Sequence, residues 1–195
     1  NISLLILTTQ RKIKLEDFEL VELFIKTQRP DYFSMLYQRY SSKIYSKCIF
    51  MLKNDARAKD ATQEIFTKIF LNLSKFSGRS KFSTWVYSIT YNFCIDIIRK
   101  RKKERNLFSE EVDDAPDIIE EVEDATLLEM EVGRLKKVLE EIPPGDRAVL
   151  LMKYQDELSI KEIAEILDKT ESAIKMKIKR AKHKAQKVYR DIFPT

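Results

Sequence analysis

Glycine is scarce in this chain, 3 among 195 residues, and proline adds only 5. With so few breakers and with long periodic apolar segments, the sequence reads as all-α. The same shortage leaves no glycine-rich loop to cradle a phosphate. Cysteine occurs twice. Cys48 and Cys94 each stand among apolar helical residues, which fits buried thiols in a reducing cytoplasm better than a disulfide or a metal site. The single histidine, His183, lies in a lysine-rich helix with no second ligand beside it, so a zinc site and a catalytic triad both lack their parts. Carboxylate pairs such as Glu140-Glu141 sit at ordinary solvent-facing spacing. No metal, no cofactor and no enzymatic activity are expected. The apolar start, Ile2 to Leu7, is too short to span a bilayer, and Arg11, Lys12 and Lys14 follow it where a signal peptide carries its charge in front. A cytoplasmic protein without membrane insertion is expected.

The formal net charge of +5 conceals a division. Residues 1–103 carry 20 Lys and Arg against 9 Asp and Glu, residues 104–131 carry 1 against 12, and residues 132–195 carry 15 against 10. Two basic blocks therefore flank an acidic one, which points to nucleic acid. Solvated helix surface accounts for most individual lysines equally well.

Residues 1–14 read as a tail. From Leu15 to Gln28, Phe18, Val21, Phe24 and Ile25 make a short amphipathic helix that ends before Arg29-Pro30. A second, from Asp31 to about Leu52, turns Phe33, Leu36, Tyr40, Ile44 and Cys48 toward a core. Asn54-Asp55 is a turn signal. In the next helix Ala58, Ala61, Ile65, Ile69 and Leu73 recur every three or four residues, with Phe66 and Phe70 widening the stripe. Asp60, Gln63, Glu64 and Thr67 share its opposite face. After Ser77-Gly78 comes the basic and aromatic loop Arg79-Ser80-Lys81-Phe82-Ser83-Thr84-Trp85. The helix that follows is expected to bury Phe82, Val86, Ile89, Phe93 and Ile97, with Trp85, Ser88, Asn92 and Arg99 on its other side. It ends in five consecutive basic residues, Arg99 to Lys103. Residues 15–103 thus form one bundle.

Residues 104–131 change to Glu, Asp and Val with Pro116 and read as an extended acidic linker. Leu127-Leu128 begins a helix running through Val132, Leu135, Val138 and Leu139. The run Ile142-Pro143-Pro144-Gly145-Asp146 breaks it, and Ala148 to Tyr154 forms a short helix. Ser159-Ile160-Lys161-Glu162 fits a capping box. Its helix buries Ile163, Ala164 and Leu167. A tight turn at Asp168-Lys169 leads to Thr170, the N-cap of a longer helix that buries Ile174, Ile178, Ala181, Ala185 and Val188. This is helix-turn-helix patterning over residues 132–195. Eight basic residues and one acidic residue lie between Glu171 and Arg190. Ser172, Lys175, Met176 and Lys179 face away from the buried stripe, toward base edges if the helix docks in a major groove. Lys177, Arg180, Lys182 and Lys184 suit phosphates. A basic helix merely packed on its neighbours would show the same charge.

Three of these motifs carry a resemblance. The runs Asp60-Ala61-Thr62-Gln63-Glu64-Ile65-Phe66, Phe82-Ser83-Thr84-Trp85-Val86-Tyr87-Ser88-Ile89 and Asn92-Phe93-Cys94-Ile95-Asp96-Ile97-Ile98-Arg99 resemble region two of bacterial RNA polymerase sigma factors. The helix-turn-helix resembles region four of the same family. Together they cover about four-fifths of the chain and are most similar to the small two-domain extracytoplasmic function group. The resemblance implies that Arg79, Ser80, Lys81, Phe82, Trp85, Ser88, Asn92 and Arg99 capture unpaired bases of a minus-ten element. It implies that Ser172, Lys175, Met176, Lys177, Lys179 and Arg180 meet a minus-thirty-five element. Asp60, Gln63, Glu64 and Thr67 are implied to dock on the β′ clamp helices of core polymerase, with the β flap as a further contact and Leu71 as an apolar addition. An anti-sigma factor is a further candidate partner.

Three departures stand out. Aspartate occupies position 168, where relatives often have glycine, and lysine stands at 177, where arginine is frequent and would bind in a fork. Lys59 replaces an acid and stays outside the implied clamp contact. The linker could thread a nucleic-acid channel as an anionic mimic, or serve as a soluble tether. The expected function is promoter selection and melting with core polymerase. A stand-alone DNA-binding regulator and a sigma-like protein that no longer melts promoters remain the alternatives, separated by co-purification with polymerase and by run-off transcription.

Overall fold

The computed structural model describes residues 15–104 and 132–194. The expectations for the tail, for nearly all of the linker and for a helix start at Leu127-Leu128 lie outside these residues. All regular structure among the described residues is helical: eight α-helices, a short 3-10 turn at Leu73–Lys75 and a π turn. Four make a first lobe: α1 (Asp17–Thr27), α2 (Pro30–Leu52), α3 (Asp55–Asn72) and α4 (Phe82–Glu104). Four make a second: α5 (Val132–Glu141), α6 (Pro144–Leu150), α7 (Ile160–Leu167) and α8 (Glu171–Ile192).

The helix boundaries follow local chemistry. Pro30 opens α2 at a position where its missing N–H goes unneeded. Asn54 caps α3 by accepting the Arg57 N–H at 3.0 Å. Pro144 opens α6, four residues before the expected start at Ala148, and after Leu150 the chain widens into a π turn over Leu151–Gln155. The first-lobe core gathers Leu20, Val21, Leu36, Ile44, Ala58, Ala61, Ile65, Ile69 and Val86. Asp17 ties α1 to α2: Arg39 pairs with it at 2.6 Å and the Tyr40 hydroxyl donates to it.

Three expected stripes shift. In α1 the buried face is Leu20, Val21 and Phe24, while Phe18 and Ile25 are exposed. In α3, Phe70 is 48 % exposed, although its ring still meets Phe24 and Phe33 edge-on at 5.7 and 5.2 Å. In α4, Phe82 and Val86 are buried as expected, but Ile89, Phe93 and Ile97 are only half-buried. Thr84, Tyr87, Thr90, Tyr91 and Cys94 are buried instead. The reason is that α4 packs on two sides. It lies against α2 and α3 within its own lobe, and against α6 and α7 of the other. An amphipathic pattern assumes one buried face, and α4 has nearly two.

The lobes are joined by buried polar contacts. Lys47 of α2 pairs with Asp156, which also accepts the Tyr91 hydroxyl at 2.8 Å. Burial, the Asp156 charge and its hydrogen bond push the Tyr91 phenol well up. Arg147, 2 % exposed, donates to the carbonyls of Phe50 and Met51 in α2 and of Leu139, Glu140 and Ile142 in its own lobe.

Candidate nucleic-acid and polymerase interfaces

The helix-turn-helix is built as its residues dictate. Ser159 accepts the Glu162 N–H at 3.2 Å, and Glu162 accepts the Ser159 N–H at 2.8 Å. Burial works against the Glu162 charge. The Ser159 N–H and hydroxyl, the Thr84 hydroxyl and the Lys81 charge overcome it and hold the carboxyl below its usual range. At the turn Asp168 adopts φ 51°, the left-handed conformation that glycine otherwise supplies. Thr170 caps α8 by accepting the Ala173 N–H at 3.2 Å.

On α8, Ile174, Ile178, Ala181 and Ala185 are buried and Val188 half-buried. Ser172, Lys175 and Met176 are exposed beside the first turns, so a groove is open to them. Lys179 and Arg180 are half-buried flanks. Lys177 differs from expectation. Its ammonium lies 3.2 Å from the buried Asp146 carboxylate, whose other oxygen takes Lys184 at 2.8 Å. These two lysines pin α8 to the start of α6, where a carboxylate also complements the helix N-terminus.

In the first lobe, Arg79 and Lys81 are exposed in the loop before α4, and Ser80 is half-buried. Trp85 is half-buried and lies over Phe76 and Phe82, with ring centroids 5.5 and 5.6 Å away. Phe82 itself is 4 % exposed and also packs on Tyr40. It supports the site from beneath and offers no surface to a base. Ser88 donates to the Trp85 carbonyl at 2.7 Å, and Arg99 is exposed at the far end of the helix. Asn92 is exposed, yet its amide donates to the Ile166 carbonyl of α7 at 3.3 Å. Asp60, Gln63, Glu64 and Thr67 form one exposed face of α3, with Leu71 exposed beside them. Lys59 pairs back to Asp55 at 2.7 Å.

Lys47, Asp156 and Arg147 escaped the sequence reading. One signal was there: Lys47 interrupts the stripe Ile44, Cys48, Met51, where only a partnered lysine can stay buried. No group of three or more metal-ligating side chains occurs among the described residues, and no described helix is long and apolar enough to cross a membrane.

Comparison with known proteins decides the family. Residues 36–104 match Sigma-70 region 2 and residues 133–184 match Sigma-70 region 4. The sigma factor SigW of Bacillus subtilis (strain 168) is 34 % identical over 177 residues, covering 86 % of this chain and 94 % of that protein. The chain belongs to the extracytoplasmic function group of RNA polymerase sigma factors. SigX of the same organism is 28 % identical over 81 % of both chains. Two solved structures share the fold at 19 % identity. The sigma factor RpoE of Bartonella quintana, bound to the anti-sigma factor NepR, covers 81 % of this chain and 96 % of that chain with a TM-score of 0.61. CnrH, bound to the cytosolic domain of CnrY, covers 88 % of this chain and 96 % of that chain with a TM-score of 0.62. This sigma factor therefore serves RNA polymerase in promoter-specific transcription initiation.

Proposed function

We propose that the sigma factor divides promoter recognition between its lobes, residues 15–103 holding core polymerase and the minus-ten element and residues 132–195 reading the minus-thirty-five element. The observation that carries the division is the open N-terminal turn of α8, with Ser172, Lys175 and Met176 exposed opposite a fully packed stripe. Lys179 and Arg180 flank it for phosphates. On the first lobe, Arg79, Ser80 and Lys81 meet the strand's charge, Trp85 stacks on an unpaired base, and Ser88, Asn92 and Arg99 line the path. The Asp60, Gln63, Glu64 and Thr67 face takes the β′ clamp helices through mixed polar contacts, where paired carboxylates set specificity. The second lobe meets the β flap. Catalysis belongs to the polymerase, so the sigma factor acts with it in the cytoplasm and performs no chemistry of its own. The NepR complex of the similar RpoE supports an anti-sigma partner here.

The test is reconstitution with core polymerase, selection of bound DNA from a random duplex pool, and run-off transcription from the selected sequences. Two conserved-spacing elements and specific transcripts are expected. Binding of the same DNA without polymerase, and no transcript with it, would favour the stand-alone regulator.

A further inference from the structure

Resting on the basic loop before α4 as the place that holds unpaired minus-ten bases, we propose that α1 buttresses this loop and that Phe18 is its positioning residue. The Phe18 ring seats Gly78, and so holds Arg79, Lys81 and Trp85 in the arrangement that receives the strand. The loop runs between Phe76 and Phe82, whose rings meet edge-on at 5.2 Å, and Trp85 lies over both. Each of these two rings is tied back to the start of α1. Phe76 meets the Phe18 ring edge-on at 6.2 Å. Phe82 meets the Tyr40 ring edge-on at 5.4 Å, and the Tyr40 hydroxyl donates to Asp17, the residue before Phe18. Arg39 pairs with the same carboxylate at 2.6 Å, and a capping box of Glu16 and Glu19 fixes the first turn. Phe18 therefore stands on a turn that is itself held.

The tip of the loop is held as well as its base. Gly78 turns at φ 71°, and its backbone lies so close to Phe18 that a Cβ would come within 2.6 Å of Cε2. One phenylalanine at 44 % exposure needs no explanation by itself. A glycine backbone seated on that ring does, because the left-handed turn is what brings the loop onto it. The exposed neighbours of Phe18 on α1 are Glu19 and Glu22, which repel a phosphate. The ring therefore acts through the loop and does not stack on the bases itself. A loop ordered before the strand arrives spares capture the cost of ordering it.

The experiment uses the full chain, alone and with core polymerase, as wild type and as Phe18→Ala. Trypsin under native conditions, read by mass spectrometry at Arg79 and Lys81, reports the order of the loop. Permanganate reactivity of a duplex promoter reports opening. Cleavage at the two sites should rise about tenfold and opening should fall about tenfold, the scale of ordering one backbone residue. Affinity for polymerase should hold. Phe18→Tyr, which keeps the ring, should behave as wild type, and Ile25→Ala, 41 % exposed on the same helix, is the control for α1 itself. In a Trp85→Ala background Phe18→Ala should deepen the opening defect by less than about twofold, because both act through one loop, whereas a general loss of stability would add in full. Unchanged cleavage overturns the buttress. Faster cleavage with undiminished opening, while Trp85→Ala opens poorly, overturns the positioning role. Failure of the parent reading looks different: Trp85→Ala and Phe18→Ala then both open the promoter fully, and cleavage still reports whether Phe18 holds the loop. If Phe18→Ala fails to fold, Phe18→Leu takes its place in the same assays, losing the flat ring and keeping most of the apolar bulk.

Discussion

Arg147 of the second lobe donates to the Phe50 carbonyl of the first at 2.7 Å, and the same guanidinium reaches the Ile142 carbonyl at 3.2 Å. One side chain thus gathers backbone oxygens from two lobes. Burial lowers its pKa from the ordinary value, and the nearby charges of Glu140 and Glu141 counter that. A guanidinium has five donors in a fixed fork, and an ammonium has three on a point. Arg147→Lys leaves buried carbonyls unpaired and should lower stability by roughly 2–3 kcal/mol, the scale of one hydrogen bond to a charged donor. Urea denaturation checks this. An unchanged midpoint would mean that lysine and water satisfy the same oxygens.

Gly78 and Phe18 make a second tight relation. Gly78 has φ 71°, and a Cβ built on it would lie 2.6 Å from the Phe18 ring. Gly78→Ala meets both conditions at once, and the left-handed backbone alone costs about 1–2 kcal/mol. Phe18 is exposed on its other side and has room to move. The double variant Gly78→Ala with Phe18→Ala should therefore recover the steric part of the loss and not the backbone part. Thermal melting of the single and double variants separates the two.

Much of this fold was legible because its signals are local. The Ser159 capping box, the Thr170 cap and the Asp168 turn depend on residues within four positions, and each is formed. The Ala58, Ala61, Ile65 and Ile69 stripe was legible because α3 buries one face. The stripes of α1 and α4 were misjudged where tertiary packing chose between neighbours of similar polarity. Leu20 went inside and Phe18 stayed outside, and Tyr91 went inside because Asp156 receives its hydroxyl. The candidate site divides the same way. Exposure of Lys175, Gln63 and Glu64 follows from helical phase. The capture of Lys177 by Asp146, and of Asn92 by Ile166, joins residues 31 and 74 positions apart, and no periodicity reports that.

Acid should loosen α7 through Glu162. Its folded carboxyl lies below the ordinary value of 4.5, so the folded state binds its proton less readily than the unfolded state. Its contribution is fully present above about that ordinary value and is lost as pH falls through the lowered one. Glu162→Gln should flatten the acid side of a stability–pH curve between those limits, costing most at neutral pH, where the carboxylate's contribution is fully present, and converging with the wild type in acid. Equal acid slopes in the two proteins would assign the acid loss to other carboxylates.

Lys175 and Lys177 should part company on DNA. Lys175 is exposed and Lys177 is tied to Asp146. Lys175→Ala should weaken binding to a selected minus-thirty-five duplex and change base preference there, by ~1–3 kcal/mol if it makes a good base contact. Lys177→Ala should leave base preference intact, because its ammonium is occupied within the lobe. Competition binding against single-base variants reads the difference. Uniform loss across all duplexes for Lys175→Ala would make it a phosphate contact.

Trp85 tests melting apart from binding. It is the single tryptophan of the chain, half-buried over Phe76 and Phe82, and away from the Asp60 to Thr67 face of α3. Trp85→Ala should therefore spare polymerase binding, and it should spare the minus-thirty-five duplex, which the proposed division gives to the other lobe. What it removes is a ring able to stack on an unpaired base, worth ~1–3 kcal/mol per base. The defect should appear as fewer unpaired, permanganate-reactive bases near the start site. A template with a pre-opened bubble should recover much of the transcription, because the opening has been done in advance. Packing makes a competing forecast. A fully buried tryptophan cut to alanine costs ~3–5 kcal/mol, and a half-buried one costs less, so the bundle should stay folded at assay temperature. Circular dichroism melting run beside the bubble assay keeps the two apart. A collapse in melting temperature without bubble rescue would make Trp85 a prop for Phe76 and Phe82; a modest drop with rescue makes it the residue that holds the opened strand.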